Sequence, residues 1–202
     1  MECEEHAGVA RRNGLHFYQK KKRLNSKVVT DIFEMIIGTL IVGFLAIAIV
    51  YFVGMRTSVI GDSMETTLYN GQEILTNRFL YKLSSPKRGD VIVFLPNGNQ
   101  NSHYYVKRIV GLPGETIQIK EGRVYIDGVL LDEEDAYDTM ADAGIAENEI
   151  TLGLDEYFVL GDNRNSSEDS RSGNIGAVNR NNIIGKAWFH MACEEAGMGR
   201  IE

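Results

Sequence analysis

From Met35 to Met55 the chain runs 21 residues without a charge, bounded by Glu34 and Arg56. At roughly 1.5 Å per helical residue, such a run reaches about 30 Å, the thickness of a bilayer's hydrocarbon core. After Arg56 the period changes. Short stretches of branched and aromatic residues recur at Val91–Leu95, Tyr104–Val110, Thr116–Lys120, Val124–Ile126, Tyr157–Leu160 and Ile183–Phe189. Each reads as a β-strand. From Thr116 the alternation is explicit: TIQIK, a Glu121-Gly122 turn, RVYI, an Asp127-Gly128 turn, then VLL. Two tight hairpins in series are predicted, the Asp-Gly pair supplying the positive φ angles of the second turn. An acidic insertion at about 132–150, alanine-rich and without strand signal from Asp132 to Asn148, interrupts the series. It is expected to be exposed, with a helical turn or two and a solvated charged face. The pattern predicts a mainly β domain behind one N-terminal apolar helix.

A core helix rarely stays uncharged for this length in so small a domain. A cleavable signal peptide has a shorter apolar region, roughly 7–15 residues, and a shorter basic leader. The run is therefore read as an uncleaved single-span anchor. Residues 1–31 form a basic tail, 32–55 the transmembrane anchor and 56–202 the β-rich domain. Lys20, Lys21, Lys22, Arg23 and Lys27 lie on the amino-terminal flank, which sets the tail in the cytoplasm and the domain outside. The net charge is −7; because the tail is basic, the surplus acid lies in the domain, which argues against a nucleic-acid partner. Cys3 and Cys193 stand at opposite ends and define neither a disulfide framework nor a zinc spacing.

One serine stands out just after the anchor: Ser63, in Ile60–Leu68, IGDSMETTL. A serine hydroxyl attacks only when a neighbouring base takes its proton. Beyond the anchor two histidines could serve. His190 lies among apolar residues of a terminal strand, where a structural role suits it better, and His103 is a loop residue. A buried lysine can do the same work, because burial penalises the ammonium and lowers its pKa. Lys107, in YYVKRIVGLPGE, alternates onto one strand face with Tyr105 and Ile109, while Arg108 on the other face is expected to stay solvated. On pattern alone, a strand lysine such as Lys107 is more often an edge residue facing water. A third stretch, Leu160–Gly173, LGDNRNSSEDSRSG, reads as a polar loop held by Asp–Arg pairs.

Together the three stretches, GDSM-x-x-TL, KR-I-V-GLPGE and GDNR-x-x-S-x-DSR, resemble the type I signal peptidases of bacteria, in their Gram-positive form. The resemblance runs from the anchor to about Phe189. It implies an outward-facing, β-barrel-like catalytic domain and a serine–lysine endopeptidase that removes signal peptides from exported preproteins, without metal or cofactor. Ser63 falls on the nucleophile, Lys107 on the general base, and Ser167 on the serine that hydrogen-bonds and orients the lysine. Asp162, Asp169 and Arg171 fall on bracing positions, and Met64 and Leu68 on residues packed around the nucleophile turn. An acyl-enzyme, two shallow apolar substrate pockets, an extended substrate and a place beside the export pore in the membrane are also implied.

Two positions depart from the family's pattern. Thr66 replaces the usual proline, so the turn after Ser63 is expected to be looser. Gly61, two before the nucleophile, removes a serine hydroxyl that many Gram-negative members carry, leaving the oxyanion to backbone N–H groups such as that of Ser63. The alternatives are an exported binding or scaffolding module without catalysis, and the self-cleaving SOS repressors, which carry a DNA-binding helix pair where this chain has an anchor.

Overall fold

The computed structural model describes residues 26–133 and 136–201, less the side chains of 52 and 53. The basic cluster Lys20–Arg23 and Cys3 lie outside the described residues. Helix α1 spans Ser26–Val53. It begins earlier than the uncharged run, taking in Lys27, Asp31 and Glu34, and it ends before Met55, where the sequence had placed the anchor's limit. Gly54 explains the stop: its N–H bonds the Val50 carbonyl at 2.9 Å, and a Cβ there would press against that same oxygen. Among the described residues α1 is the one helix long and apolar enough to cross a membrane. Leu40, Phe44 and Ile47 are all exposed around it, as in a helix made for apolar surroundings. The hydroxyls of Thr30 and Thr39 turn inward to the Ser26 and Met35 carbonyls, so neither is left unsatisfied. Two compact units divide the chain within this helix, Met1–Gly43 and Phe44–Glu202.

After Gly54 the chain is mostly β. The strands are β1 Met55–Ser58, β2 Glu73–Asn77, β3 Val91–Phe94, β4 Tyr105–Gly111, β5 Thr116–Lys120, β6 Arg123–Ile126, β7 Val129–Leu130, β8 Ile150–Thr151, β9 Glu156–Leu160, β10 Val178–Asn179, β11 Ile183–His190 and β12 Gly199–Arg200. A short helix, α2 Leu80–Leu83, follows β2. One sheet curls into a half-barrel in the order β1-β2-β11-β3-β4-β9-β10, with β12 on β11; a second has the order β7-β6-β5-β8. All ladders are antiparallel. The two predicted hairpins are present, and Glu121, Gly122, Asp127 and Gly128 all have positive φ.

The acidic insertion is not the solvated appendage expected. It makes one 3-10 turn, Gly144–Glu147, but Met140 and Ala146 are buried in a core with Val110, Ile117 and Phe158. Those two apolar residues anchor the segment against the sheet.

Candidate active site

Ser63 sits in the loop 59–72 that joins β1 to β2. Its base is tied by Val59 N–H to the Gln72 carbonyl at 2.9 Å and Gly71 N–H to the Val59 carbonyl at 2.8 Å. Met64 and Leu68 are fully buried in a core with Val59, Ile74 and Val93, which fixes the turn from below. Above it, Glu65 N–H bonds the Asp62 carbonyl at 3.2 Å and Leu68 N–H the Met64 carbonyl at 2.8 Å. Gly61 has φ +82° and donates to the Asn70 side-chain oxygen at 3.0 Å; a side chain would strain this backbone. No hydrogen bond among the described residues uses the Ser63 N–H.

Strand β4 brings Lys107 to that turn. Lys107 pairs with Ile92 of β3, only 4% of it is exposed, and its Nζ stands 2.5 Å from Ser63 Oγ. Burial lowers its pKa from 10.5 to about 8, against the pull of Asp169, Glu168 and Asp162 and with help from Arg171. A substantial neutral fraction therefore exists near pH 7–8. Neither histidine beyond the apolar helix competes. His190 is tied to the Gln72 amide at 2.9 Å, the structural role anticipated. His103 borders the same cleft, of about 270 Å³, with Gly61, Ser63, Tyr105, Lys107 and Glu168, but the hydrogen-bond partner of Ser63 Oγ is the lysine.

The loop after β9 braces both. Asn163 N–H bonds the Ser63 carbonyl at 3.1 Å and its side chain the Asp62 carbonyl at 3.2 Å. Asp162 takes a two-pronged bond from Arg108, at 2.9 and 2.8 Å. Arg108 is thus not solvated as expected: its side chain is 11% exposed and its partner's 2%. The sequence misled because Asp162 is 54 residues away, beyond any local pattern. Asp169 is wholly buried and accepts from Arg171 Nε and Nη2 at 2.9 Å each and from Gly161 N–H at 3.1 Å. Burial alone would raise its pKa; the Arg171 bonds and charge and the Gly161 N–H prevail and hold it low. Arg171 also donates to the carbonyls of Asp142 and Arg164, at 3.1 and 2.6 Å.

Ser167 is the exception. Its Oγ is buried and makes no hydrogen bond to Lys107 among the described residues; the hydroxyl instead faces Asp169 and helps to hold that carboxylate's pKa low. Gly161 is a position that motif matching named only as part of a string. A Cβ there would collide with Ser167 Oγ and the Ser63 carbonyl, so glycine is required where the loop passes the nucleophile. The insertion's role was also missed. Glu133 grips the buried Arg164 with both oxygens, at 2.8 and 2.5 Å, and Ala141 N–H bonds the Asn165 side chain at 2.8 Å. Acidic residues between strands carried no sign that their partners lay in the next loop.

The sequence from residue 32 to 192 matches the family model described as "Signal peptidase, peptidase S26". The chain belongs to this family. It is 34% identical over 175 residues to Signal peptidase I P of Bacillus subtilis subsp. natto, covering 83% of this chain and 91% of that protein. It is 34% identical over 182 residues to a Signal peptidase I of Bacillus amyloliquefaciens, covering 85% and 92%. A crystal structure of a signal peptidase I from Enterococcus faecalis V583 aligns with a TM-score of 0.39 and 32% identity, over 51% of this chain and 97% of that one; the assignment rests on the sequence matches alone. The chain is accordingly a peptidase of the membrane-anchored signal-peptide-processing family, and α1 is its candidate span.

Proposed function

We propose that this chain removes signal peptides from exported preproteins by a Ser63–Lys107 dyad. The observation that carries the reading is the buried lysine amine 2.5 Å from the serine hydroxyl. Neutral Lys107 takes the Ser63 proton as Oγ attacks the scissile carbonyl. The resulting ammonium gives that proton to the leaving amine as the mature protein departs, and an acyl-enzyme forms on Ser63. Water, deprotonated by the same lysine, then attacks the ester and frees the signal peptide. The Ser63 N–H, unused within the described residues, is the proposed donor to the oxyanion, with Gly61 leaving room for close approach. Ser167 is a positioning residue: while its hydroxyl hydrogen faces Asp169, its oxygen can accept from Lys107. The tail is cytoplasmic and the domain outside, so enzyme and membrane-held substrate share one plane near the export pore.

The test uses the full chain in detergent with a preprotein, the cut being mapped by mass spectrometry. The parent cleaves after the signal peptide; Ser63→Ala and Lys107→Arg do not, since a guanidinium stays protonated and cannot act as a base. Processing by Lys107→Arg overturns the dyad.

A further inference from the structure

Away from Ser63, a cavity of about 380 Å³ opens within the unit Phe44–Glu202, bordered by Tyr51, Arg78, Tyr81, Lys82 and Arg180. Three cations line it and no carboxylate does, in a chain whose net charge is −7. Arg180 is held in place by neutral oxygens, the carbonyls of Tyr81 and Ser84 at 3.1 and 3.2 Å and the Ser85 hydroxyl at 3.3 Å. Its charge is therefore aimed but not neutralised. No ion pair among the described residues involves Arg78 or Arg180.

The same segment carries a second signal. Around α2, Phe79 and Leu80 are exposed and Leu83 is 77% exposed. Tyr51, from the last turn of the apolar helix, borders the cavity. An amphipathic ring at the end of an apolar helix suits the headgroup level of a bilayer. Cations beside exposed leucine and phenylalanine have the composition of an element lying in a membrane interface.

We propose that this cavity binds the phosphate of an anionic membrane lipid, while Phe79 and Leu83 rest against its acyl chains. A free phosphate would meet Arg78 and Arg180 but leave the exposed Leu83 in water, and that leucine decides for the lipid. The site needs the chain's membrane anchorage, not the dyad. Bound lipid would hold this flank of the domain against the bilayer surface.

The experiment is thermal unfolding of the full chain in neutral detergent. Micelles are doped with phosphatidylglycerol or phosphatidylcholine, or inorganic phosphate is added at the same concentration. Phosphatidylglycerol at tens of times its dissociation constant is expected to raise Tm by roughly 3–6 °C, the other two by much less. The exposed pair Arg78→Ser/Lys82→Ser loses most of this increment, and Leu83→Ser loses part of it. A chain with Lys20, Lys21, Lys22 and Arg23 changed to serine keeps it, which separates the cavity from the basic tail. Three results overturn the proposal: an equal rise with inorganic phosphate, an unchanged increment in the double variant, or loss of the increment in the tail variant alone.

Discussion

Lys107 and Arg108 are adjacent, yet the two faces of β4 resolve the burial of a cation in opposite ways. On one face Lys107 meets a hydroxyl and, among the described residues, no ion-pair partner. On the other, Arg108 meets both oxygens of a buried carboxylate. A lysine can escape the desolvation penalty by giving up its proton; a guanidinium cannot, and so needs a counter-ion. The carboxylates around Lys107 do not undo this. Asp162 and Asp169 are already engaged by Arg108 and Arg171, so their charge is largely spent. The strand thus holds a group that titrates near neutrality beside one that fixes the loop.

The strongest way to break the contrast is to make both residues methionine. Lys107→Met should abolish cleavage yet stabilise the fold at pH 7. With a folded pKa of about 8 against an ordinary 10.5, the unfolded chain binds more protons between those values. Parent stability therefore rises with pH across that window and carries the full penalty, about 3 kcal/mol, below it. The advantage of Lys107→Met should fade above pH 10. Arg108→Met should lose about 3–5 kcal/mol, because it strands Asp162. Denaturant unfolding at pH 7 and 10 reads both, and a destabilised Lys107→Met would show that the amine is held by more than the serine.

Smaller in effect is Ser167→Ala, expected to lower kcat/KM about ten- to a hundredfold by removing an orienting acceptor. The cleavage position should stay the same by product mass. The finest test is the pH profile of kcat/KM, which should rise through about 8 as Lys107 loses its proton. Glu168 borders the cleft, accepts from the Tyr105 hydroxyl at 3.3 Å and favours the charged lysine. Glu168→Gln should therefore move the midpoint to lower pH, and a midpoint that stays put would remove Glu168 from the electrostatics of the base.

What could be read from the chain alone follows the range of the interactions. All six strands marked by runs of branched and aromatic residues are present, because alternation is a local consequence of burying one face. Strands β1 and β2 escaped notice, since they turn Thr57 and Thr76 into the core and so look polar. Ser63 and Lys107 were identified by motif strings, and geometry unites them. The ties between loops were not legible: Arg108 to Asp162 spans 54 residues and Arg164 to Glu133 spans 31. An acidic stretch gives no sign of which distant arginine it will meet. Ser167 shows the converse, since its motif implies a bond that the resting geometry does not make.

The single residue between α1 and β1 has a consequence for reach. Gly54 alone separates Val53 from Met55, so ten positions of chain join the end of the apolar helix to Ser63. Fully stretched, ten residues extend no more than about 35 Å. The nucleophile is therefore leashed to the helix end by a fixed radius, and any peptide it cuts must bring its scissile bond inside that radius. A short tether of this kind acts as a ruler.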